Sequence, residues 1–141
     1  AAGYLYQTNT HEYNLGQTSF ECGRRNNALK FWTLWKSVGT KGLGEMIDHN
    51  YYLSNIAHEY LKNNPHYQVY SDKNSLSICF NYKDLDPIKL CTQLYEKNRL
   101  MVGYGEHHHQ KFIRLVSINR NNKEEDILNF FKVLEEFADQ Q

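Results

Sequence analysis

Apolar residues recur at helical spacing from Asn27 onward, where Ala28, Phe31, Trp32, Leu34, Trp35 and Val38 form a broad aromatic stripe. Gly39 stands where a left-handed residue closes a helix, and Thr40-Lys41-Gly42 reads as a short break. A second, longer helical pattern runs through Met46, Ile47, Leu53, Ile56, Ala57, Tyr60 and Leu61 and stops at Asn63-Asn64-Pro65. The period then drops to two. Leu76, Ile78, Phe80 and Tyr82 alternate with Ser75, Ser77, Cys79 and Asn81, which predicts a half-buried strand. Tyr67 to Tyr70 is its expected hairpin partner across Ser71-Asp72-Lys73-Asn74.

Asp86-Pro87 predicts a helix start, since the carboxylate can accept a first-turn N–H and proline fills a position whose own N–H would be idle. Ile88, Cys91, Leu94 and Tyr95 supply that helix's apolar stripe. Leu100 to Tyr104 and Phe112 to Ile118 read as two more strands, separated by a polar loop, Gly105-Glu106-His107-His108-His109. Asn122 with Glu125 resembles a capping box, and Ile127, Phe130, Phe131, Leu134 and Phe137 complete a last amphipathic helix. Residues 1 to 22 show no sustained period and mix Tyr4, Tyr6, Tyr13 and Phe20 with polar residues. The order helix, helix, strand, strand, helix, strand, strand, helix predicts an α+β fold: a small antiparallel sheet of three to four strands with helices packed on one face.

Composition removes several classes of function. Lys and Arg number 16, as do Asp and Glu, so the neutral chain offers no basic stripe for nucleic acid. Cys22, Cys79 and Cys91 are odd in number, widely spaced and without a CxxC pair, which fits reduced thiols and a cytoplasmic setting. No apolar run approaches the about 20 residues of a membrane span, so a soluble chain is expected. The start, Ala1-Ala2-Gly3-Tyr4, lacks an initiator Met and suggests a cut from something longer or a processed product.

Arg114 is the position that pattern alone singles out, because it shares a strand face with Phe112, Val116 and Ile118 while Ile113 and Leu115 face the other way. A guanidinium keeps its charge, so it must meet an internal carboxylate or reach a cleft at the edge of the sheet. Both alternatives stay open on this ground. In Cys22-Gly23-Arg24-Arg25, two arginines precede a helix, where they either bind a phosphate or carboxylate or sit on the surface beside a buried cysteine. Cys79 and Cys91 lie among apolar neighbours and are read as core. His107-His108-His109 is read as a solvated loop and not a metal site, since adjacent residues cannot all face one ion. Gly103-Tyr104-Gly105 is too short for a nucleotide-binding fingerprint.

Taken together, Cys22-Gly23-Arg24-Arg25, Leu29-Lys30-Phe31-Trp32-Thr33-Leu34-Trp35-Lys36 and Gly39-Thr40-Lys41-Gly42-Leu43 resemble the C-terminal region of group II pyridoxal-phosphate-dependent amino-acid decarboxylases. That family includes the glutamate, cysteine-sulfinate and aspartate decarboxylases. Ala2-Gly3-Tyr4-Leu5-Tyr6-Gln7, Ile78-Cys79-Phe80, Met101-Val102-Gly103-Tyr104 and Phe112-Ile113-Arg114-Leu115-Val116 extend the similarity over essentially the whole chain.

The resemblance implies a fold-type-I enzyme whose large domain holds pyridoxal 5'-phosphate on a lysine, with a small C-terminal domain closing over the site. That lysine precedes the Ala-Gly-Tyr segment in such enzymes, so the isolated chain is expected to lack it and to be inactive. Residues 1–22 would then be a catalytic loop and its exit, and residues 23–141 the small domain with its leading helices. By motif match, Tyr4 resembles the catalytic tyrosine that returns a proton to the substrate after carbon dioxide leaves. Arg114 resembles the arginine that holds the substrate α-carboxylate. The implied partners are the large domain, a second subunit and a small acidic amino acid. Gly105-Glu106 departs from the Gly-Tyr-Gln-Pro run often found in the family, and the histidines follow it. A free-standing ligand-binding or regulatory module derived from a decarboxylase C-terminus is the rival expectation.

Overall fold

A computed structural model of the chain describes residues 26–140. The chain divides into two compact units between Lys41 and Gly42. Helix α1 (Asn27–Asn63) leaves helical conformation at Gly39, where φ is 69° and ψ is 174°. Glycine takes such a positive φ without the steric cost of a Cβ, and the expected helix end falls there. Helical structure resumes directly afterwards, so Thr40-Lys41-Gly42 belongs to a helix and is not the break its composition suggested.

In the first unit, Asn26 caps the helix by accepting the Leu29 N–H at 3.0 Å. Phe31, Trp32 and Trp35 keep 55%, 53% and 46% of their surface exposed. Phe31 and Trp35 pack ring to ring at 5.8 Å, and the Trp35 indole N–H donates to Thr40 Oγ1 at 3.0 Å.

The second unit carries the sheet. Strands β1 (Tyr67–Val69), β2 (Ser77–Tyr82), β3 (Gly103–His107) and β4 (Gln110–Val116) are all antiparallel, in the order β1-β2-β4-β3. Helix α2 (Pro87–Glu96) separates the two hairpins, and α3 (Glu124–Ala138) closes the chain. The element order and the α+β class agree with the sequence pattern. Opposite partners Ile78↔Leu115 and Phe80↔Ile113 set one face of the sheet, and Tyr67↔Tyr82 continues it. That face joins Leu53, Ala57 and Leu61 of α1, Leu90 and Leu94 of α2, and Ile127, Phe131 and Leu134 of α3 in one buried cluster. Burying a side chain such as Phe131 contributes roughly 1.5–3 kcal/mol. Its ring stacks on Tyr60 at 4.6 Å and 7°.

Local signals mark the helix ends. Asp86 accepts from the N–H groups of Ile88 and Lys89 at 2.8 and 3.2 Å, and Pro87 occupies the first turn as expected. Asn98, at φ 53°, closes α2, with its N–H on Tyr95 O and the Arg99 N–H on Leu94 O, both at 2.9 Å. The cap of α3 lies one residue later than the pattern suggested: Asp126 Oδ2 accepts from the Lys123 N–H at 2.8 Å, in place of an Asn122/Glu125 pair.

The second hairpin departs most from expectation. The predicted loop from Gly105 to His109 is largely strand: β3 runs to His107, which pairs with Gln110. The turn is His108-His109 alone, both at positive φ (48° and 64°), the geometry of a two-residue turn that matches strand twist.

Candidate active site

Alternation along β2 and β4 gives the sheet a second face, opposite the core, with Ser77, Cys79 and Asn81 from β2 and Phe112, Arg114 and Val116 from β4. Arg114 stands across from Cys79 on one side and Gly103 on the other. Its Nε donates to Ser77 Oγ at 2.9 Å. Among the described residues no carboxylate forms an ion pair with it. The guanidinium is exposed, and it borders an open depression of about 740 Å³ that Tyr70, Ser77, Cys79, His107 and Phe112 also line. A second hollow, of about 380 Å³, lies beside Arg114 along Gly103, Tyr104 and Leu115.

The wall of the larger depression depends on an absent side chain. A Cβ on Gly105 would stand 2.7 Å from Phe112 Cε2, so the Phe112 ring lies across β3 where glycine leaves room. Tyr70 packs beside that ring at 6.4 Å. The Tyr70 hydroxyl donates to Gln68 Oε1 at 2.9 Å and accepts from Gln110 Nε2 at 3.2 Å. Asn81 Nδ2 donates to the Lys111 carbonyl at 2.9 Å, joining β2 to β4 beneath this group.

The two described cysteines differ, against the expectation that both are core. Cys91 is buried, its thiol pushed up to about 11 by desolvation, and therefore stays protonated near neutrality. Cys79 is half-buried on the open face and lines the depression. Its place among Ser77 and Asn81 in the alternation carried that signal, while its apolar sequence neighbours Ile78 and Phe80 pointed inward. Ser77 was also missed as a candidate, because an isolated serine on a strand has no motif to mark it. His109 sits at the turn with Nδ1 3.9 Å from Glu106 Oε1. Tyr4 and Cys22-Gly23-Arg24-Arg25 lie outside the described residues.

A second polar cluster lies on the core side. Glu135 Oε1 accepts from the Tyr60 and Tyr67 hydroxyls, both at 2.9 Å, and from Asn64 Nδ2 at 3.3 Å. Burial first, then the carboxylate, pushes the Tyr60 hydroxyl up to about 12, and Tyr67 shifts further in the same direction. Neutral phenols fixed in this way brace α1, β1 and α3 and are poorly suited to moving protons at ordinary pH.

The family model for the pyridoxal-dependent decarboxylase conserved domain matches residues 1–83. The chain is 27% identical over 147 residues to an acidic amino acid decarboxylase of Mus musculus, covering 89% of this chain and 27% of that protein. It is 26% identical over 141 residues to a cysteine sulfinic acid decarboxylase of Rattus norvegicus, covering 84% of this chain and 28% of the relative. The crystal structure of mouse CSAD in apo form superposes with a TM-score of 0.71 at 25% identity, over 87% of this chain and 30% of that one. A tryptophan decarboxylase of Catharanthus roseus, 17% identical, shares the fold at a TM-score of 0.71. The chain thus spans under a third of the length of these relatives. With its conserved domain matched over more than half of the residues, the chain belongs to the pyridoxal-dependent decarboxylase family.

Proposed function

We propose that this chain is the C-terminal part of a carboxy-lyase that acts on a small acidic amino acid such as glutamate, cysteine sulfinate or aspartate. The observation that carries the reading is Arg114: an exposed guanidinium, one nitrogen on Ser77 Oγ, bordering a depression, with no carboxylate of its own among the described residues. Such a group binds a substrate carboxylate through charge-assisted hydrogen bonds that also fix its orientation. The names of the relatives, which act on acidic substrates, support the substrate class.

Pyridoxal phosphate is the family's cofactor, and it supplies the electron withdrawal that decarboxylation needs. The residues of this chain do not fit its anchorage. Every lysine of the chain is exposed, whereas a lysine that condenses with a carbonyl works from a desolvated site that lowers its pKa. Lys83 shows the opposite shift, raised by its hydrogen bond to Asp139. The cofactor lysine then belongs to a large domain, the chain alone is inactive, and its part is to bind and orient substrate. Residues 1–22 contribute a catalytic loop in which Tyr4 delivers the proton to the α-carbon, and residues 23–141 form the small domain. The exposed Phe31, Trp32 and Trp35 supply apolar surface for packing against the large domain, in a cytoplasmic homodimer.

The decisive experiment replaces Arg114 in the full-length enzyme. Arg114→Met raises KM about 10- to 100-fold, the scale of losing charge-assisted hydrogen bonds, and Lys restores little of it. Unchanged kinetic constants with a lowered thermal midpoint would make Arg114 a structural residue. For the isolated chain, incubation with pyridoxal phosphate followed by borohydride and mass analysis leaves no stoichiometric lysine adduct. A single modified lysine at full occupancy would overturn the assignment of the anchor to the large domain.

A further inference from the structure

We infer that Ser77 is the positioning residue for substrate binding, holding Arg114 so that its two terminal nitrogens meet the carboxylate. The inference rests on the reading of Arg114 as the carboxylate-binding group and goes beyond it by assigning the pairing geometry and the residue that sets it. A guanidinium presents a carboxylate with one of two edges: Nε with one terminal nitrogen, or both terminal nitrogens together. Nε of Arg114 is already used, donating to Ser77 Oγ at 2.9 Å. That bond occupies the first edge and leaves the second for the ligand.

Ser77 is itself held from within the fold. Ser54, fully buried on α1, donates its hydroxyl to the Ser75 carbonyl at 2.7 Å. The Ser75 hydroxyl then closes around Ser77, donating to its carbonyl at 2.9 Å and accepting from its N–H at 3.1 Å. A line of three serines thus runs from a buried helix position to the start of β2 and ends on the exposed arginine. Arg114 carries a long side chain with several free torsions, and without an anchor it would lose that freedom only on meeting the ligand. The directly opposite residue on β2 is Cys79, yet the acceptor is Ser77, two residues along and paired with Val116. The guanidinium is therefore drawn along the strand toward the beginning of β2, and both residues border the same depression.

The test uses the full-length enzyme with Ser77→Ala, Ser77→Thr and Arg114→Met. Ser77→Ala is expected to raise KM about tenfold, the scale of one hydrogen bond to a charged group, because the arginine is no longer pre-aimed. It leaves kcat within about twofold, since binding is lost equally from ground and transition states. The thermal midpoint stays near that of the unmodified enzyme, and Ser77→Thr, which keeps the hydroxyl, restores KM. If Ser77→Ala leaves KM unchanged while Arg114→Met raises it, the positioning role is wrong and the carboxylate site stands. If Arg114→Met leaves KM unchanged as well, the carboxylate site itself falls. A fall in kcat and thermal midpoint with KM unmoved would make Ser77 part of the strand's structure alone and would also overturn the inference.

Discussion

Gly105 and Phe112 face each other across β3 and β4 so closely that a Cβ on the first would stand 2.7 Å from Cε2 of the second and push its ring aside. The near atoms are the far end of a half-buried ring, which can swing, so the cost falls at the low end of the overpacking range. Gly105→Ala is expected to destabilise the chain by about 1 kcal/mol. Adding Phe112→Leu should recover part of the loss, because neighbours in contact do not act independently. Urea denaturation of the single and double variants measures both, and full additivity would show that the ring is not the cause.

Alkaline pH should unfold the chain through the buried Tyr67 and the partly buried Tyr60. The folded-state pKa of Tyr60 is raised to about 12 from an ordinary value of 10, and Tyr67 moves the same way. The folded state therefore holds these protons more tightly than the unfolded state. The stability they contribute is complete below pH 10 and is lost as pH climbs toward about 12. Thermal scans across that range should show the decline, and Tyr60→Phe should make it shallower. Glu135→Leu should shift the onset of phenolate absorbance to lower pH by removing the adjacent negative charge.

The Asp86 cap has the opposite sign. Its pKa is lowered by the N–H groups of Lys89 and Ile88, so its contribution is present above the ordinary carboxylate range and fades as pH falls through the lowered value. Asp86→Ala should lower the thermal midpoint at pH 7, while Asn, which keeps an acceptor oxygen, should retain most of it. At pH 2 the Asp and Asn chains should converge. A gap that persists there would mean that charge is not the difference.

For Tyr4 the expected outcome is chemical. Replacing it with Phe in the full-length enzyme removes one oxygen from the group proposed to protonate the α-carbon. Amine formation should fall by about 10²-fold or more, the scale of losing a general acid, while carbon dioxide release continues and dissolved oxygen, as the oxidant, diverts the unprotonated product to an aldehyde with release of ammonia and hydrogen peroxide. Equal yields of amine and carbon dioxide at the normal rate would remove Tyr4 from the catalytic group.

Period was the most legible property of the chain, because a change from helical spacing to strict alternation needs no partner to be read. Among the described residues it located the strands and helices in order, with the two leading helices joined in one run, Asn27–Asn63, across Gly39, and Asp86-Pro87 located the start of α2. Turn chemistry was less legible. Residues at positive φ in a two-residue hairpin are commonly Asn or Gly, so His108-His109 gave no cue and the strand before it was shifted toward Leu100. Leu100 and Val102 do pack against the core, but from outside the strand. Arg114 was visible because a charge broke an apolar face. Ser77 and Cys79 were not, since small residues on a polar face become significant only when the register brings them to Arg114.

The alternation of β2 also separates two kinds of constraint along one six-residue strand. Ile78, Phe80 and Tyr82 answer to the core and the buried Asn81 ties β2 to the Lys111 carbonyl of β4, whereas Ser77 and Cys79 border the open depression. A change at Cys79 can thus leave the packing of its even-numbered neighbours intact. A library built only at 79 and 116 would therefore vary the open face while sparing both the core and the contact between Ser77 and Arg114.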